Sequence, residues 1–122
     1  MRTFVGGWLV TCLLLTVAAG CQTASVIGSP IEGRPLKDGA YTGSYSNWPN
    51  SAKVRVTVKD GRIDHVEVLR HFSSWKGWDV NDIIPQRIVE AQSTQVDVVS
   101  GATNSSVVVM NAAERALEKA QP

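Results

Sequence analysis

Cysteine is almost absent from this chain: of 122 residues only Cys12 and Cys21 carry a thiol. Cys12 lies inside an apolar leader, so a cleaved form would keep Cys21 alone and could form no intramolecular disulfide. Histidine is as scarce, and His65 and His71 are too isolated to build a metal site, reading instead as surface or strand residues. Basic clusters are also missing. Lys and Arg total 12 against 11 Asp and Glu, and loss of Arg2 with the leader would leave a neutral domain. That balance argues against nucleic acid as a partner, because binding a phosphate backbone needs a positive footprint. No apolar run reaches the ~20 residues of a membrane-spanning helix. No repeat or low-complexity tract occurs, and no G-x-G-x-x-G unit marks a dinucleotide fold. Neither a Ser-His-Asp set nor a carboxylate pair can be assembled, so catalysis by side chains has no support.

What the chain does contain begins with a targeting segment. Arg2 precedes the largely apolar run from Val5 to Val17, and the small residues Ala18-Ala19-Gly20 lead to Cys21. This is the layout of a secretory signal peptide over residues 1–20. Ala18-Ala19-Gly20-Cys21 also resembles the lipobox of bacterial lipoproteins, with Ala18 where that pattern usually has Leu. The resemblance implies lipidation of Cys21 and an extracytoplasmic domain held on the cell envelope, since several acyl chains anchor stably. Residues 21–37, with two Pro and two Gly, have the composition of a flexible tether. A folded domain is then expected over 38–120, close to the size at which one core just suffices.

Within it, Ala40 to Tyr45 reads as a strand by its Tyr and Thr content, and Asn47 to Ser51 as a loop. Val54, Val56 and Val58 alternate with polar residues, Asp60-Gly61 turns the chain, and Ile63 to Leu69 returns as the second strand of a hairpin. Apolar parity shifts between Ile63 and Val66-Val68, which predicts a bulge near Asp64-His65. His71 to Asn81 reads as an irregular connection. In it Trp75 and Trp78 are either core anchors or faces for a flat aromatic ligand. Helical spacing begins at Asp82, with Pro85 expected in the first turn, and ends near Gln92-Ser93. Val96 to Val99 reads as a short strand. From Thr103 to Lys119, Val109, Met110, Ala113, Ala116 and Leu117 share a helix face, leaving Glu114, Arg115, Glu118 and Lys119 to solvent. The expected fold class is α+β: a small antiparallel sheet built on a hairpin, packed with two helices.

The stretch Asp97-Val98-Val99-Ser100-Gly101-Ala102-Thr103 stops a β-branched run at a tight turn and starts a helix. Ser or Thr at such a place can cap free N–H groups. The same groups, with the positive end of the helix dipole, also seat an anion such as phosphate.

Three segments resemble the FMN-binding domain family, found in subunits of sodium-pumping and related membrane redox complexes and in small exported flavoproteins. They are Asp38-Gly39-Ala40-Tyr41-Thr42-Gly43, Val56-Thr57-Val58-Lys59-Asp60-Gly61-Arg62-Ile63, and Asp97 to Thr103. The third matches the family pattern Asp-x-x-Ser/Thr-Gly-Ala-Thr at Asp97, Ser100, Gly101, Ala102 and Thr103. The resemblance implies that a flavin transferase, recognising a signal that includes Asp97, joins FMN through its phosphate to the Thr103 hydroxyl. Gly101 would let phosphate approach the backbone, and Ala102 would not cover it. Asn104, Ser105 and Ser106 on the first helical turn would reach phosphate or ribityl oxygens. The implied protein is an electron carrier rather than a stand-alone enzyme, with FMN as cofactor and a redox protein or membrane redox complex as partner. Two other readings stay open: a module holding FMN noncovalently, and a non-flavin envelope lipoprotein that binds a partner.

Overall fold

The computed structural model describes residues 25–73 and 79–122. The leader, Cys21, Trp75 and Trp78 lie outside the described residues. The elements run β1 (Gly39–Asn47), β2 (Asn50–Lys59), β3 (Arg62–Phe72), α1 (Val80–Ala91) and α2 (Thr103–Glu118). The strands form one antiparallel sheet in the order β1-β2-β3, and both helices pack on it, giving the expected α+β class. Among the described residues no helix is long and apolar enough to cross a membrane.

The β2–β3 hairpin follows from local chemistry. Asp60 and Gly61 both take positive φ, 52° and 72°, as a two-residue turn matched to strand twist requires. Asn50, Ala52, Val54, Val56 and Val58 are buried on the face toward the helices. Val58 pairs with Ile63 but Thr57 with His65, so Asp64 is the extra residue of a bulge. The bulge brings Ile63 and Val66 to the same inner face, which is the parity repair the sequence requires. A second register shift makes Leu69 an extra residue between Val68 and Arg70, and carries β3 on to Phe72. It turns His71 inward beside Ala52 and leaves Phe72 outside, 65% exposed.

Helix α2 is the centre of the molecule. It packs across β1 and β2, and all its residues from Ser105 to Leu117 except Arg115 are buried. A helix apolar on most sides needs neighbours on most sides, and the sheet alone cannot supply them. The rest comes from α1 and from residues 25–37, which correct the expected tether. Ile31 and Leu36 belong to the core. Ile31 N donates to Gln92 O at 3.0 Å, and Lys37 N to Ala120 O at 2.8 Å. Asn111 grips the start of the segment, accepting from Ile27 N at 3.0 Å and donating to Ser25 O at 2.9 Å.

Glu114 is a further correction. It is 6% exposed, not solvated. Arg34 reaches it with both terminal nitrogens, at 2.8 and 3.1 Å, and the Thr94 hydroxyl donates to it at 2.6 Å. Pro85 lies beyond the first turn, because α1 begins two residues earlier than expected. The proline has no N–H for the Asn81 carbonyl. Val96 to Val99, expected as a short strand, joins no ladder. Its backbone is satisfied elsewhere: Val96 N by Met110 Sδ, Val99 N by Ser106 Oγ, and the Asp97 and Val98 carbonyls by Arg87.

Gly43 marks where β1 meets α2. A Cβ there would stand 2.2 Å from the Ala112 carbonyl oxygen and 2.3 Å from Ala116 N. Both are backbone atoms and neither can swing aside. Gly43→Ala is therefore expected to lower the urea midpoint by an amount equivalent to about 1–3 kcal/mol, the usual cost of overpacking.

Candidate functional site

The turn before α2 is held from beneath. Ala102 N donates to Val99 O at 3.0 Å, closing a four-residue turn. Its third residue, Gly101, has φ +80°, a conformation that penalises any Cβ. A Cβ at Gly101 would meet nothing within 4 Å, so this glycine is needed for its conformation and not for close packing. Gly101→Ala is expected to cost about 1–2 kcal/mol, the left-handed penalty alone, read as a lower melting midpoint. Ser106 braces the same turn: its hydroxyl donates to Ala102 O at 2.8 Å and accepts from Val99 N at 3.0 Å. Ser106 is fully buried, which corrects its expected role beside a ligand.

Thr103 is the first residue of α2, and its side chain is exposed. The N-cap is Ala102, and no side chain caps the helix. A plain capped turn, with Ser100 or Thr103 bonding the free N–H groups, is therefore not what forms here. The first N–H groups of an α-helix have no partner within the helix, and here they open onto a concave surface. A cavity of about 320 Å³ is lined by Asn50, Gly101, Ala102, Thr103, Asn104 and Ser105. Four of these six residues have polar side chains, and none is charged. An anion here would be met by backbone dipoles and neutral donors. The site fits the phosphate end of FMN: an accessible hydroxyl, helix-start N–H groups without a side-chain cap, and a neutral polar wall.

Asn50 was not legible as a site residue. It opens β2, is 7% exposed, and reaches the cavity because the Trp48-Pro49 turn brings the start of β2 beside the start of α2. Its surroundings in the sequence are those of any turn. Trp48, two residues earlier, is 92% exposed. Asp97 and Ser100 stand apart from the cavity. Ser100 is exposed on the turn, and Asp97 lines a separate depression with Arg87, Glu90, Ala91, Gln95 and Val96. Arg87 fixes the backbone there, with Nη1 donating to the Asp97 carbonyl at 2.8 Å and the Val98 carbonyl at 3.2 Å.

His71 and Asn81 pair where β3 approaches α1, with Nδ1 2.6 Å from Asn81 Oδ1. Burial pushes the imidazole below its ordinary value of 6.5, against the Asn81 hydrogen bond, which favours the charged form. Among the described residues His71 Nε2 is buried without a partner, so a proton there would find no acceptor among them. Unfolded His71 binds a proton near 6.5 while the folded ring does not. Its contribution to stability is therefore complete above that value and is lost as pH falls through the lowered folded value. Urea midpoints compared at about pH 7.5 and 5 should show this loss, reduced in His71→Gln.

Comparison with known proteins places this geometry. The family model described as FMN-binding domain matches residues 48–118, more than half of the chain. An uncharacterized protein of Treponema pallidum (strain Nichols) is 40% identical over 96 residues, which are 77% of this chain and 26% of that protein. This chain thus spans about a quarter of that relative's length. A Clostridium perfringens protein of known crystal structure superposes with a TM-score of 0.57 at 27% identity, over 70% of this chain and 88% of its own. The matched region runs from Trp48 through the Asn50 wall and the Thr103 turn to the end of α2. By that match the chain belongs to the FMN-binding domain family, and FMN is its cofactor.

Proposed function

We propose that this domain is an extracytoplasmic electron carrier, holding FMN through a phosphodiester on Thr103 and fixed to a membrane through acylated Cys21. One observation supports the attachment point above all. The Thr103 hydroxyl is exposed at a helix start with no side-chain cap, on a neutral polar cavity, at the last position of the Asp97 to Thr103 pattern. A phosphodiester keeps one negative charge, and at a helix N-terminus that is stabilised by about 0.3–1 kcal/mol. Asn50, Asn104 and Ser105 supply neutral hydrogen-bonding groups around it. When bound, FMN supplies the one- and two-electron redox chemistry. The protein holds the phosphate at the start of α2.

Covalent attachment suits an extracytoplasmic location, because a reversible site fills only as far as free ligand exceeds its dissociation constant. Maturation then needs a flavin transferase, and Asp97, exposed on backbone fixed by Arg87, is accessible to it. The partners in turnover are another redox protein or a membrane redox complex. Intact mass and peptide mapping on protein from its own host test the reading. FMN on the peptide containing Thr103 supports it. Flavin that separates from the chain on gel filtration after denaturation identifies noncovalent binding instead. Protein that stays colourless after co-expression with the transferase supports the non-flavin lipoprotein.

A further inference from the structure

The exposed large apolar side chains are unevenly placed. Among the described residues they are Ile27, Trp48, Leu69, Phe72 and Val98. Trp48 is in the β1–β2 turn, next to the cavity wall formed by Asn50. Phe72 pairs with Ser51, and Leu69 is the bulge residue three positions earlier. Val98 immediately precedes the turn that ends at Ala102, and Ile27 is bonded to the middle of α2 through Asn111. The opposite end, with Lys59, Asp60, Arg62, Glu118 and Lys119 exposed, shows no large apolar side chain among the described residues. Ile27 and Leu69 lie level with the middle of α2, but the two most exposed, Trp48 and Phe72, lie toward Thr103, and the end toward Lys119 is charged.

The docked N-terminal segment shares that axis. It runs along α2 from Ser25 at Asn111 to Lys37 at Ala120. Three residues lie between Cys21 and Ser25, and the four steps from one to the other reach about 14 Å fully extended. A free tether over residues 22–37 would reach about 55 Å, more than the width of a ~100-residue domain, whose radius of gyration is about 13 Å. A domain on the long tether could turn any side to the bilayer, and one on the short leash could not leave it. The leash alone allows either end of α2 to face the lipid. The apolar surface decides between them, because exposed Trp and Phe favour the membrane interface and a purely charged end does not.

We propose that the Thr103 end of the domain sits on the lipid surface, with Trp48 and Phe72 in the interface. This rests on the reading that Cys21 is acylated. Lys53 and Arg70, paired across β2 and β3 two residues from the Ser51–Phe72 pair, would face anionic headgroups. The flavin site is then presented to the bilayer, and its redox partner is a constituent of that membrane and not a soluble protein.

The test uses the full chain, acylated in a bacterial host and reconstituted in vesicles of phosphatidylethanolamine and phosphatidylglycerol containing doxyl-labelled lipid. An environment-sensitive fluorophore is attached in separate variants at Phe72→Cys and at Asp60→Cys. Quenching at position 72 with none at position 60 is the expected result. Insertion of fifteen Gly/Ser residues before Ser25 should reduce that difference. Equal quenching, quenching at position 60 alone, or burial of position 72 without lipid quenching, as against a second copy or a membrane protein, overturns the proposal while leaving acylation intact. Mass spectrometry of Cys21 separates the two readings, since absence of acyl chains overturns both.

Discussion

Thr103→Ala is expected to yield a folded domain that carries no covalent flavin. The side chain is exposed and caps nothing, so the stability change should stay within about 0.5 kcal/mol. The flavin loss, in contrast, should be complete. Intact mass and visible absorbance after denaturation read the flavin, and a urea melt reads the fold. Thr103→Val, which keeps the shape and removes the hydroxyl, should behave in the same way. Full retention of denaturation-resistant flavin in either variant would sink the phosphodiester at this residue. Loss of flavin together with loss of fold would contradict the exposed, uncapping position seen for Thr103.

Arg34→Ala should be among the most damaging single changes to stability. It leaves Glu114, whose side chain is 8% exposed, without its only cationic partner among the described residues. Removing one member of a buried pair typically costs about 3–5 kcal/mol. The loss should appear as a large fall in the urea midpoint. A paired replacement, Arg34→Met with Glu114→Leu, should recover most of it, because well-packed apolar residues often replace a buried ion pair with little penalty. Thr94 keeps hydrogen-bond partners in that variant, through Ser29 N and Ser29 O. A small effect of Arg34→Ala would mean that residues 25–37 do not dock as described.

These two positions show how differently the sequence speaks. The β2–β3 hairpin is legible because its causes are neighbours: Val54, Val56 and Val58 alternate, Asp60-Gly61 supplies the turn, and the parity break at Asp64 announces its bulge. The Thr103 turn is legible for the same reason, lying within seven consecutive residues. Arg34 and Glu114 are 80 residues apart, and nothing near either one names the other. Glu114 therefore reads as one more solvated helix charge. Val96 to Val99 misleads in the opposite way. Four residues of strand-like character have no adjacent strand, so side chains of Arg87, Ser106 and Met110 take the backbone bonds instead, as β propensity without a partner allows. The Leu69 bulge is silent in sequence, because Leu69-Arg70-His71-Phe72 has no alternation to break. Asn50 joins the site only through the pairing that brings two element starts together.

The docked segment also sets the order in which the chain can finish folding. Residues 25–37 are the first of the described chain to be synthesised, yet their partners are Gln92, Thr94, Asn111, Glu114 and Ala120. Neighbouring strands can pair as soon as they emerge, since hairpin loops close at little entropic cost. The opening segment must wait for almost the whole chain, and until then Ile31 and Leu36 have no core to enter. Completion of the fold is therefore coupled to the emergence of α2, and a chain halted before α2 would hold a sheet without its lid.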